Sequence, residues 1–419
     1  MWGRLLVFLF GILMPIALSY AAAGHLSTQN LFVITVGAIA FSLMAVNLVM
    51  AARLPLFDGM FGGLDQLYFV HKWTGISVLV FALLHENVEI NTPGQEVTSG
   101  LSKLSLEVAE IALIALSVLI LTSFIKRIPK LPFEIPYHWW RWTHRLLGLV
   151  FIALAFHQFF VKAPFDNNVL LASYLNILAL AGIASFVWSQ CGFVFRRRGY
   201  KVTRVEKHPA ATIVDLEPTG RGIRVRPGGF AFVSIKANGL REPHPFTVSE
   251  IRENGGIQFS IRGLGDYTKR LRDLVQVGQS ATVEGGYGRF NYARGGDKQV
   301  WVAAGIGITP FLAMADSLPD SGGPEIHLIH CVRNESEVVG LERLRAAANR
   351  ADGFHLHIYE SDTAGRFDVQ KLRDLVPFDM PSASFWFCGP APMRVALVKA
   401  LGAGGAKPHS VHYEKFEFR

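Results

Sequence analysis

The sequence predicts a multi-domain protein in which a six-helix transmembrane bundle precedes an antiparallel β-barrel and an α/β doubly wound domain. Three observations indicate this fold class. Residues 1–195 contain only 10 Lys/Arg and 9 Asp/Glu, whereas residues 196–419 contain 31 and 24. The first half carries six apolar segments long enough for membrane helices, which need roughly 17–25 residues. From about residue 199 the apolar positions alternate as they do in β-strands.

The composition excludes several classes of protein. Half of the residues are hydrophobic, which excludes a disordered chain, and the charged second half excludes a purely integral protein. The net charge is +8, of which +7 lies after residue 195. We interpret this basic surface as lying near an anionic lipid leaflet, rather than as a nucleic-acid site. Cys191, Cys331 and Cys388 are widely spaced, which excludes a disulfide framework and an iron–sulfur cluster.

The predicted spans lie near residues 5–23, 31–50, 67–88, 108–125, 144–161 and 169–190. The first segment has an alternative interpretation, because Arg4, the apolar run 5–18 and the alanines at 21–23 also describe a cleavable signal peptide. Lys and Arg are concentrated on one side of the spans, and only Lys103 and Lys162 fall on the other. By the positive-inside rule we expect a multi-pass protein of the cell membrane, with its N-terminus and soluble half in the cytoplasm.

Two of the spans carry two histidines each. His71 and His85 lie on the third span, 14 residues apart, and His144 and His157 lie on the fifth, 13 apart. These separations correspond to about 21 and about 20 Å of helix, so each helix has an imidazole near both ends of the hydrocarbon core. Since the two spans run in the same direction, His71 pairs with His144 on the inner level and His85 with His157 on the outer. Two bis-histidine haems stacked across a bilayer need this arrangement.

A short repeat follows both inner histidines, since residues 71–75 and 144–148 both read His-basic-x-x-Gly. We interpret Gly75 and Gly148 as positions where a flat macrocycle approaches the backbone. The alternative is that all four histidines are core residues hydrogen-bonded between helices. One feature fits poorly, because thirteen residues turn a helix to a face about 140° away. The fifth helix must therefore bend, change its pitch or rotate its haem.

The second half predicts two domains. Strands at 201–205, 212–216, 230–235, 256–262 and 280–285 predict an antiparallel barrel over residues 199–297. Strands at 300–304, 326–332, 355–359 and 384–389 alternate with helical stretches and predict a doubly wound sheet over residues 298–419. With the membrane domain at 1–195, the chain has three domains.

A glycine loop joins the first strand of the doubly wound sheet to a helix. Glycines at this point let a pyrophosphate approach the backbone and a helix N-terminus. A second loop, Cys388-Gly389-Pro390, follows a later strand of the same sheet. Together the two loops predict a dinucleotide site, and the first of them reads Gly305-Ile306-Gly307-Ile308-Thr309-Pro310.

With these motifs, the second half resembles the ferredoxin–NADP reductase superfamily. The chain beyond the first span resembles the transmembrane NADPH oxidase and ferric reductase family, its prokaryotic members in particular. The resemblance implies FAD, NADPH (or NADH) and two b-type haems as cofactors, with metal ligands His71, His85, His144 and His157.

The same resemblance implies two segments that bind FAD. The flavin ring is held by a segment in which Thr247 hydrogen-bonds the ring, and Arg226 and Phe230 precede it. The diphosphate is bound by backbone amides and by the Thr268 hydroxyl, for which a helix cap is the alternative. The flavin segment is His244-Pro245-Phe246-Thr247-Val248-Ser249, and the diphosphate segment is Gly265-Asp266-Tyr267-Thr268.

For the nicotinamide nucleotide, the resemblance places Cys388 beside the nicotinamide ring and Arg333 at the adenosine 2′-phosphate. The alternatives are a small buried residue for Cys388 and one surface charge among many for Arg333. Near the C-terminus, Phe418 covers the flavin where nicotinamide must dock, with Phe416 as second choice and ordinary packing as the alternative. Thr247, Cys388 and Phe418 are the predicted catalytic residues.

These features predict an oxidoreductase that takes electrons from NAD(P)H and delivers them across the membrane. The expected acceptor is O2, which gives superoxide, because the chain has no added metal-binding loop; a ferric chelate is the second choice, and a quinone or a periplasmic protein stays open. No obligatory protein partner and no nucleic acid are expected. A histidine-lined proton channel or transporter would not explain the flavin segment, and a haem importer or sensor would not explain the glycine loop.

Overall fold

The computed structural model describes residues 2–88, 100–124, 137–161 and 169–414. The chain forms two compact units that divide between Phe193 and Val194. The first unit is helical and apolar. The second contains two β-sheet domains.

Within the described residues, six helices are long and apolar enough to cross a membrane, which confirms the predicted number. The fourth begins at Gly100, eight residues before its apolar window, because the Lys and Glu residues in its first turns are good helix formers. The second helix is the most buried of the six and packs against the first, third and sixth. The helices are α1 (Trp2–Ala23), α2 (Thr28–Ala51), α3 (Leu64–Glu86), α4 (Gly100–Phe124), α5 (Tyr137–Arg145 and Leu147–Phe160) and α6 (Val169–Cys191).

Helix α5 is interrupted at Leu146, between its two histidines. The Leu146 amide donates to the Thr143 carbonyl at 3.0 Å, and the Leu149 amide donates to the Leu146 carbonyl at 2.9 Å. Such i→i−3 bonds wind the chain at 3.0 residues per turn, so each residue turns about 120° instead of 100°. These bonds tighten the helix between His144 and His157, where the sequence requires a bend, a change of pitch or a rotated haem.

The second unit begins with a closed antiparallel barrel, which confirms the predicted FAD-type barrel. The strand β4 (His244–Ile251) was not predicted as a strand, because Pro245 interrupts its alternation of apolar and polar residues. Helix α7 (Asp266–Leu274) follows β5. The strands, in barrel order, are β1 (Arg197–Lys207), β2 (Thr212–Pro218), β5 (Ile257–Ile261), β4 (His244–Ile251), β3 (Phe230–Ile235) and β6 (Ser280–Tyr287).

A five-stranded parallel sheet follows, which confirms the doubly wound domain. Its strand order is β11-β10-β7-β8-β9, so the loops after β7 and β10 lie side by side at the carboxyl edge. The strands are β7 (Lys298–Ala304), β8 (Glu325–Val332), β9 (Phe354–Glu360), β10 (Ser384–Cys388) and β11 (Ser410–Tyr413). The helices are α8 (Thr309–Asp316), α9 (Leu341–Arg350), α10 (Val369–Leu375) and α11 (Ala391–Ala403).

The barrel and the sheet pack into one body. Ile213 and Phe290 share a buried apolar cluster with Trp301 and Phe311 of the sheet domain. Arg343 of α9 also donates hydrogen bonds to the Ser249 carbonyl, at 2.8 Å, and to Gln258 Oε1, at 3.1 Å. These contacts hold the flavin strand β4 beside the carboxyl edge of the sheet.

Candidate functional site

The inner histidines of the membrane unit lie together. The ring centroids of His71 and His144 are 6.1 Å apart. Two imidazoles that bind one metal ion, each through a nitrogen at about 2 Å, have their centroids roughly 6 Å apart. Trp140 stacks on His144 at 5.2 Å and holds that ring in place. The two side chains thus have the separation that a shared metal ion requires.

The outer histidines are also neighbours, since His85 and His157 lie close enough to interact electrostatically. Gly37 of α2 leaves room for His85, because a Cβ at this position would lie only 2.7 Å from Nδ1 of that ring. The structure therefore brings the four predicted ligands together in the two predicted pairs.

Three of these imidazoles are oriented through Nδ1. His85 Nδ1 lies 3.0 Å from the Val33 carbonyl oxygen, and His157 Nδ1 lies 3.2 Å from the Ser105 carbonyl oxygen. A carbonyl can only accept, so in both rings Nδ1 carries the proton and Nε2 carries the lone pair. His144 Nδ1 lies 2.9 Å from the Ser123 hydroxyl. Metal-binding histidines are held in this way, with the second ring nitrogen hydrogen-bonded. The residues present therefore fit an axial ligand role.

The glycines of both His-basic-x-x-Gly repeats face neighbouring helices. A Cβ at Gly148 would lie 2.1 Å from the Phe186 ring of α6, and the approach of a macrocycle to these glycines stays a prediction. A Cβ at Gly75 would lie 3.3 Å from Asn47 Nδ2, in α2. Both glycines permit close packing of neighbouring helices.

The flavin segment forms strand β4, and its members face different surroundings. Val248 lies in the barrel core, and the Ser249 hydroxyl donates to the Gln258 carbonyl at 3.1 Å. Phe230 pairs with Thr247 in register, while its ring packs against Phe232 and Tyr287. Phe230, Val248 and Ser249 therefore offer a ligand their backbone, whereas the Thr247 side chain points toward the edge of the sheet domain.

The two predicted FAD segments meet at their ends. The His244 ring stacks on Tyr267 with centroids 3.7 Å apart, which joins the start of β4 to the start of α7. The Thr268 hydroxyl accepts hydrogen bonds from the amides of Leu264 and Gly265, at 2.9 and 3.0 Å. This is the helix-cap alternative. Gly265 and Asp266 are exposed at the N-terminus of α7, and Pro245, Phe246 and the exposed Arg226 lie on the same barrel, where binding of the diphosphate stays a prediction.

The two predicted nucleotide loops touch each other. A Cβ at Gly307 would lie 2.1 Å from the Cys388 carbonyl oxygen, so only glycine permits this approach. Gly305 has φ +54°, a conformation that favours glycine. Thr309 and Pro310 begin α8, and Gly389 and Pro390 lead into α11. Two helix N-termini thus converge at the carboxyl edge, where a pyrophosphate binds favourably.

A carboxylate that the sequence did not predict lies between the flavin strand and the nucleotide loops. The Thr247 hydroxyl donates to Glu414 Oε2 at 3.3 Å, and Cys388 Sγ lies 4.0 Å from the same oxygen. Burial, and then the charge of Glu414, raise the pKa of the Cys388 thiol well above its usual value. Cys388 is therefore a neutral thiol. The feature that could have identified Glu414 is its position directly after β11, the strand that pairs with β10.

His330 is a second residue that sequence reasoning missed. It is fully buried in β8, and its Nε2 donates to the Gly305 carbonyl at 3.0 Å. Burial lowers the pKa of His330 to about 4, so the ring is neutral at physiological pH. This contact holds the glycine loop.

Two predicted residues lie apart from this centre. Arg333 follows β8, its side chain is 71% exposed, and it forms an ion pair with Glu337. Phe418 and Phe416 lie outside the described residues, which end at Glu414. Their roles stay predictions.

Three family models match the chain, each over a different part. The ferric reductase like transmembrane component matches residues 36–155, the FAD-binding domain matches 211–295, and the oxidoreductase NAD-binding domain matches 301–399. Together the three matches are those of a ferric reductase/NADPH oxidase-like family with a ferredoxin–NADP reductase-type dehydrogenase. His71, His85 and His144 lie inside the first match, and His157 lies two residues beyond it.

Individual relatives match this chain over only part of their length. The toluate 1,2-dioxygenase electron transfer component of Pseudomonas putida is 27% identical over 192 residues, which is 44% of this chain and 57% of that protein. A flavohemoprotein of Rhizobium meliloti (strain 1021) is 26% identical over 239 residues, 50% of this chain and 59% of that protein. The chain thus spans less than two thirds of these relatives.

Among solved structures, flavohemoglobin from Malassezia yamatoensis with bound FAD and heme matches with a TM-score of 0.50 and 21% identity. The match covers 94% of this chain and 100% of that one. At this identity the likeness shows the fold alone.

Proposed function

We propose that this protein carries electrons from cytoplasmic NADPH, through FAD and two b-type haems, to O2 on the opposite side of the membrane, where superoxide forms. The two histidine pairs carry the proposal, because four imidazoles paired at two levels are the ligands that two bis-histidine haems need. An ionisable residue inside a span is costly and has a function by default. When bound, the flavin converts the two electrons of a hydride into single electrons that haem iron can take.

The residues of the dehydrogenase unit have separate tasks in this reaction. The helix N-termini after Gly305–Ile308 and Pro390 hold the nucleotide pyrophosphate through backbone amides. Thr247 presents its hydroxyl to the flavin ring. Cys388, which is buried and neutral, excludes water from the place of hydride transfer. Glu414 orients both side chains, because its carboxylate accepts from the Thr247 hydroxyl and from the Cys388 thiol.

In the membrane unit, Val33, Ser105 and Ser123 fix the ring orientations of His85, His157 and His144 through Nδ1. If both imidazoles of a pair bound one haem iron, that iron would have no open position. The acceptor would then be reduced without becoming an iron ligand. A small diffusible oxidant such as O2 satisfies this condition.

A ferric chelate is a second candidate acceptor. The description of the matching transmembrane model, a ferric reductase like component, favours it. Both candidates use the same residues and the same cofactors, so only the final acceptor differs.

The test is NADPH-driven reduction of cytochrome c by the purified protein, with and without superoxide dismutase. A dismutase-sensitive rate in air supports superoxide formation. Anaerobic reduction of a ferric chelate, without a dismutase-sensitive rate in air, supports the second candidate. A protein loaded with FAD and haem that reduces neither acceptor contradicts the proposal, and a spectrum with no b-type haem removes its basis.

A further inference from the structure

Four side chains that neither the flavin site nor the haem ligands use lie together on the parallel sheet. Glu325 and His327 belong to β8, and His355 and His357 belong to β9. His327 pairs with His355 in register. Since alternate residues of a strand face the same side, the three imidazoles project from one face of two neighbouring strands.

The distances between these side chains are short. One ligand atom each from Glu325, His327 and His355 can be chosen so that all three lie within 4.8 Å of one another. The rings of His327 and His355 have centroids 4.6 Å apart, and His327 Nε2 lies 3.7 Å from Glu325 Oε1. Two nitrogens and one carboxylate oxygen thus converge on one point.

His327 is held in the form that a metal needs. Only 5% of the residue is exposed, and within the described part of the chain its buried Nε2 has no hydrogen-bond partner. Its Nδ1 lies 3.0 Å from His357 Nε2. When Nδ1 donates its proton to His357, Nε2 carries a lone pair that points at the carboxylate of Glu325. A metal ion would satisfy this buried nitrogen.

We propose that Glu325, His327 and His355 bind one divalent transition-metal ion of the zinc class, with His357 as the residue that orients His327. Zinc takes histidine nitrogen and carboxylate oxygen at about 2.0–2.2 Å, which places its ligand atoms roughly 3–4 Å apart. His355 is exposed and the Glu325 side chain is 41% exposed, so both can close the remaining distance. A water molecule completes a four-coordinate site.

The candidate zinc site is separate from the nucleotide loops. The site lies at the amino ends of β8 and β9, whereas the glycine loop lies at the carboxyl edge of the sheet. The metal would link the edge strand β9 to β8, away from the place of hydride transfer.

The test measures zinc retained by the purified full-length protein in equilibrium dialysis against chelator-buffered zinc. We expect the wild-type protein to hold one zinc ion. His355→Ala and Glu325→Gln should each lower the zinc affinity at least about tenfold. Both residues are partly or fully exposed, so these variants should fold. His409→Ala, which removes an exposed histidine of the same domain, is the matched control and should bind zinc like the wild type.

X-ray absorption at the zinc edge gives a second readout, since the bound ion should lose one imidazole ligand in His355→Ala. Equal zinc affinity in the wild type, His355→Ala and Glu325→Gln would overturn the proposal, as would a wild-type protein that retains no zinc. Neither result bears on electron transfer, so this site stands or falls independently of the proposed function.

Discussion

Arg333 is the residue predicted to select between NADPH and NADH. It stands just past the carboxyl end of β8, where its guanidinium is paired with Glu337. A 2′-phosphate would compete with this carboxylate for the guanidinium. We therefore expect the ion pair, and not the arginine alone, to set the nucleotide preference.

We predict that Arg333→Ala weakens NADPH binding roughly ten- to a hundredfold and leaves NADH nearly unchanged, because a charge-assisted contact to phosphate is lost. Glu337→Gln should act in the opposite direction and lower the KM for NADPH, since the arginine is then free for the phosphate. Steady-state kinetics with both nucleotides measure these effects. An equal change for NADPH and NADH in Arg333→Ala would show that this residue does not read the 2′-phosphate.

Phe418 is a second single residue with a predicted role in nucleotide binding, although it lies outside the described residues. Strand β11 ends at Tyr413, and Glu414 contacts Thr247 and Cys388, which are predicted to face the flavin and the nicotinamide. We predict that Phe418→Ala tightens nicotinamide binding and strengthens a charge-transfer band, because a stacked ring no longer excludes the nicotinamide. FAD and haem content should not change.

Nucleotide titration followed by flavin absorbance measures the effect of Phe418→Ala. Phe416→Ala is the matched control. An effect in Phe416→Ala alone would move the role two residues upstream, and no effect in either variant would end the hypothesis.

Among the secondary-structure elements, helices α3 and α5 together hold the four imidazoles at two levels of the membrane unit. We predict that His71→Ala or His144→Ala removes the inner haem, and that His85→Ala or His157→Ala removes the outer one, since each iron then loses an axial ligand. Haem content per chain, measured as the pyridine haemochrome, should fall from two to one in each variant. His409→Ala should keep both haems, and two haems in all four ligand variants would refute the pairing.

A hydrogen bond from His330 to the Gly305 carbonyl joins strand β8 to the glycine loop. The folded-state pKa of His330 is about 4, below the ordinary value of 6.5, so the unfolded chain binds the proton first as the pH falls. The contribution of His330 to the free energy of unfolding is present above pH 6.5, and it is lost progressively as the pH falls toward 4. Between pH 7 and pH 5 the loss is about 2 kcal/mol in free energy of unfolding.

We predict that His330→Gln shows a smaller loss of stability between pH 7 and pH 5 than the wild type, because Gln does not titrate. Gln can still donate to the Gly305 carbonyl. Denaturant unfolding at the two pH values, followed by tryptophan fluorescence, measures the difference. The same pH dependence in both proteins would assign it to other groups, such as His412, whose pKa burial also lowers to about 4.

For the whole molecule, the uneven distribution of Lys and Arg decides the orientation. We predict that both the N-terminus and the dehydrogenase unit lie in the cytoplasm, because the basic loops stay on the side with the anionic leaflet. Green fluorescent protein fused to the C-terminus should fluoresce, and alkaline phosphatase fused there should be inactive. Alkaline phosphatase inserted after Val161 should be active, and the reverse pattern would invert the orientation.

Much of the fold could be predicted from local patterns. The strand at 230–235 was predicted to its exact bounds, and four of the five strands of the parallel sheet were predicted to within one or two residues at their ends. Six spans and four ligand candidates followed from apolar length and histidine spacing. These features are readable because hydrophobic periodicity and residue spacing along one chain segment record which face is buried.

Other features depend on residues that meet from distant parts of the chain. The break at Leu146, the role of Gly148 opposite Phe186, and the place of Glu414 between Thr247 and Cys388 all required the tertiary structure. The cluster of Glu325, His327 and His355 likewise forms only when β8 and β9 pair in register. The sequence by itself determined the domain order, the membrane spans and the histidine levels. Only the tertiary structure decided which side chains share a site, because packing across elements leaves no period in a single sequence.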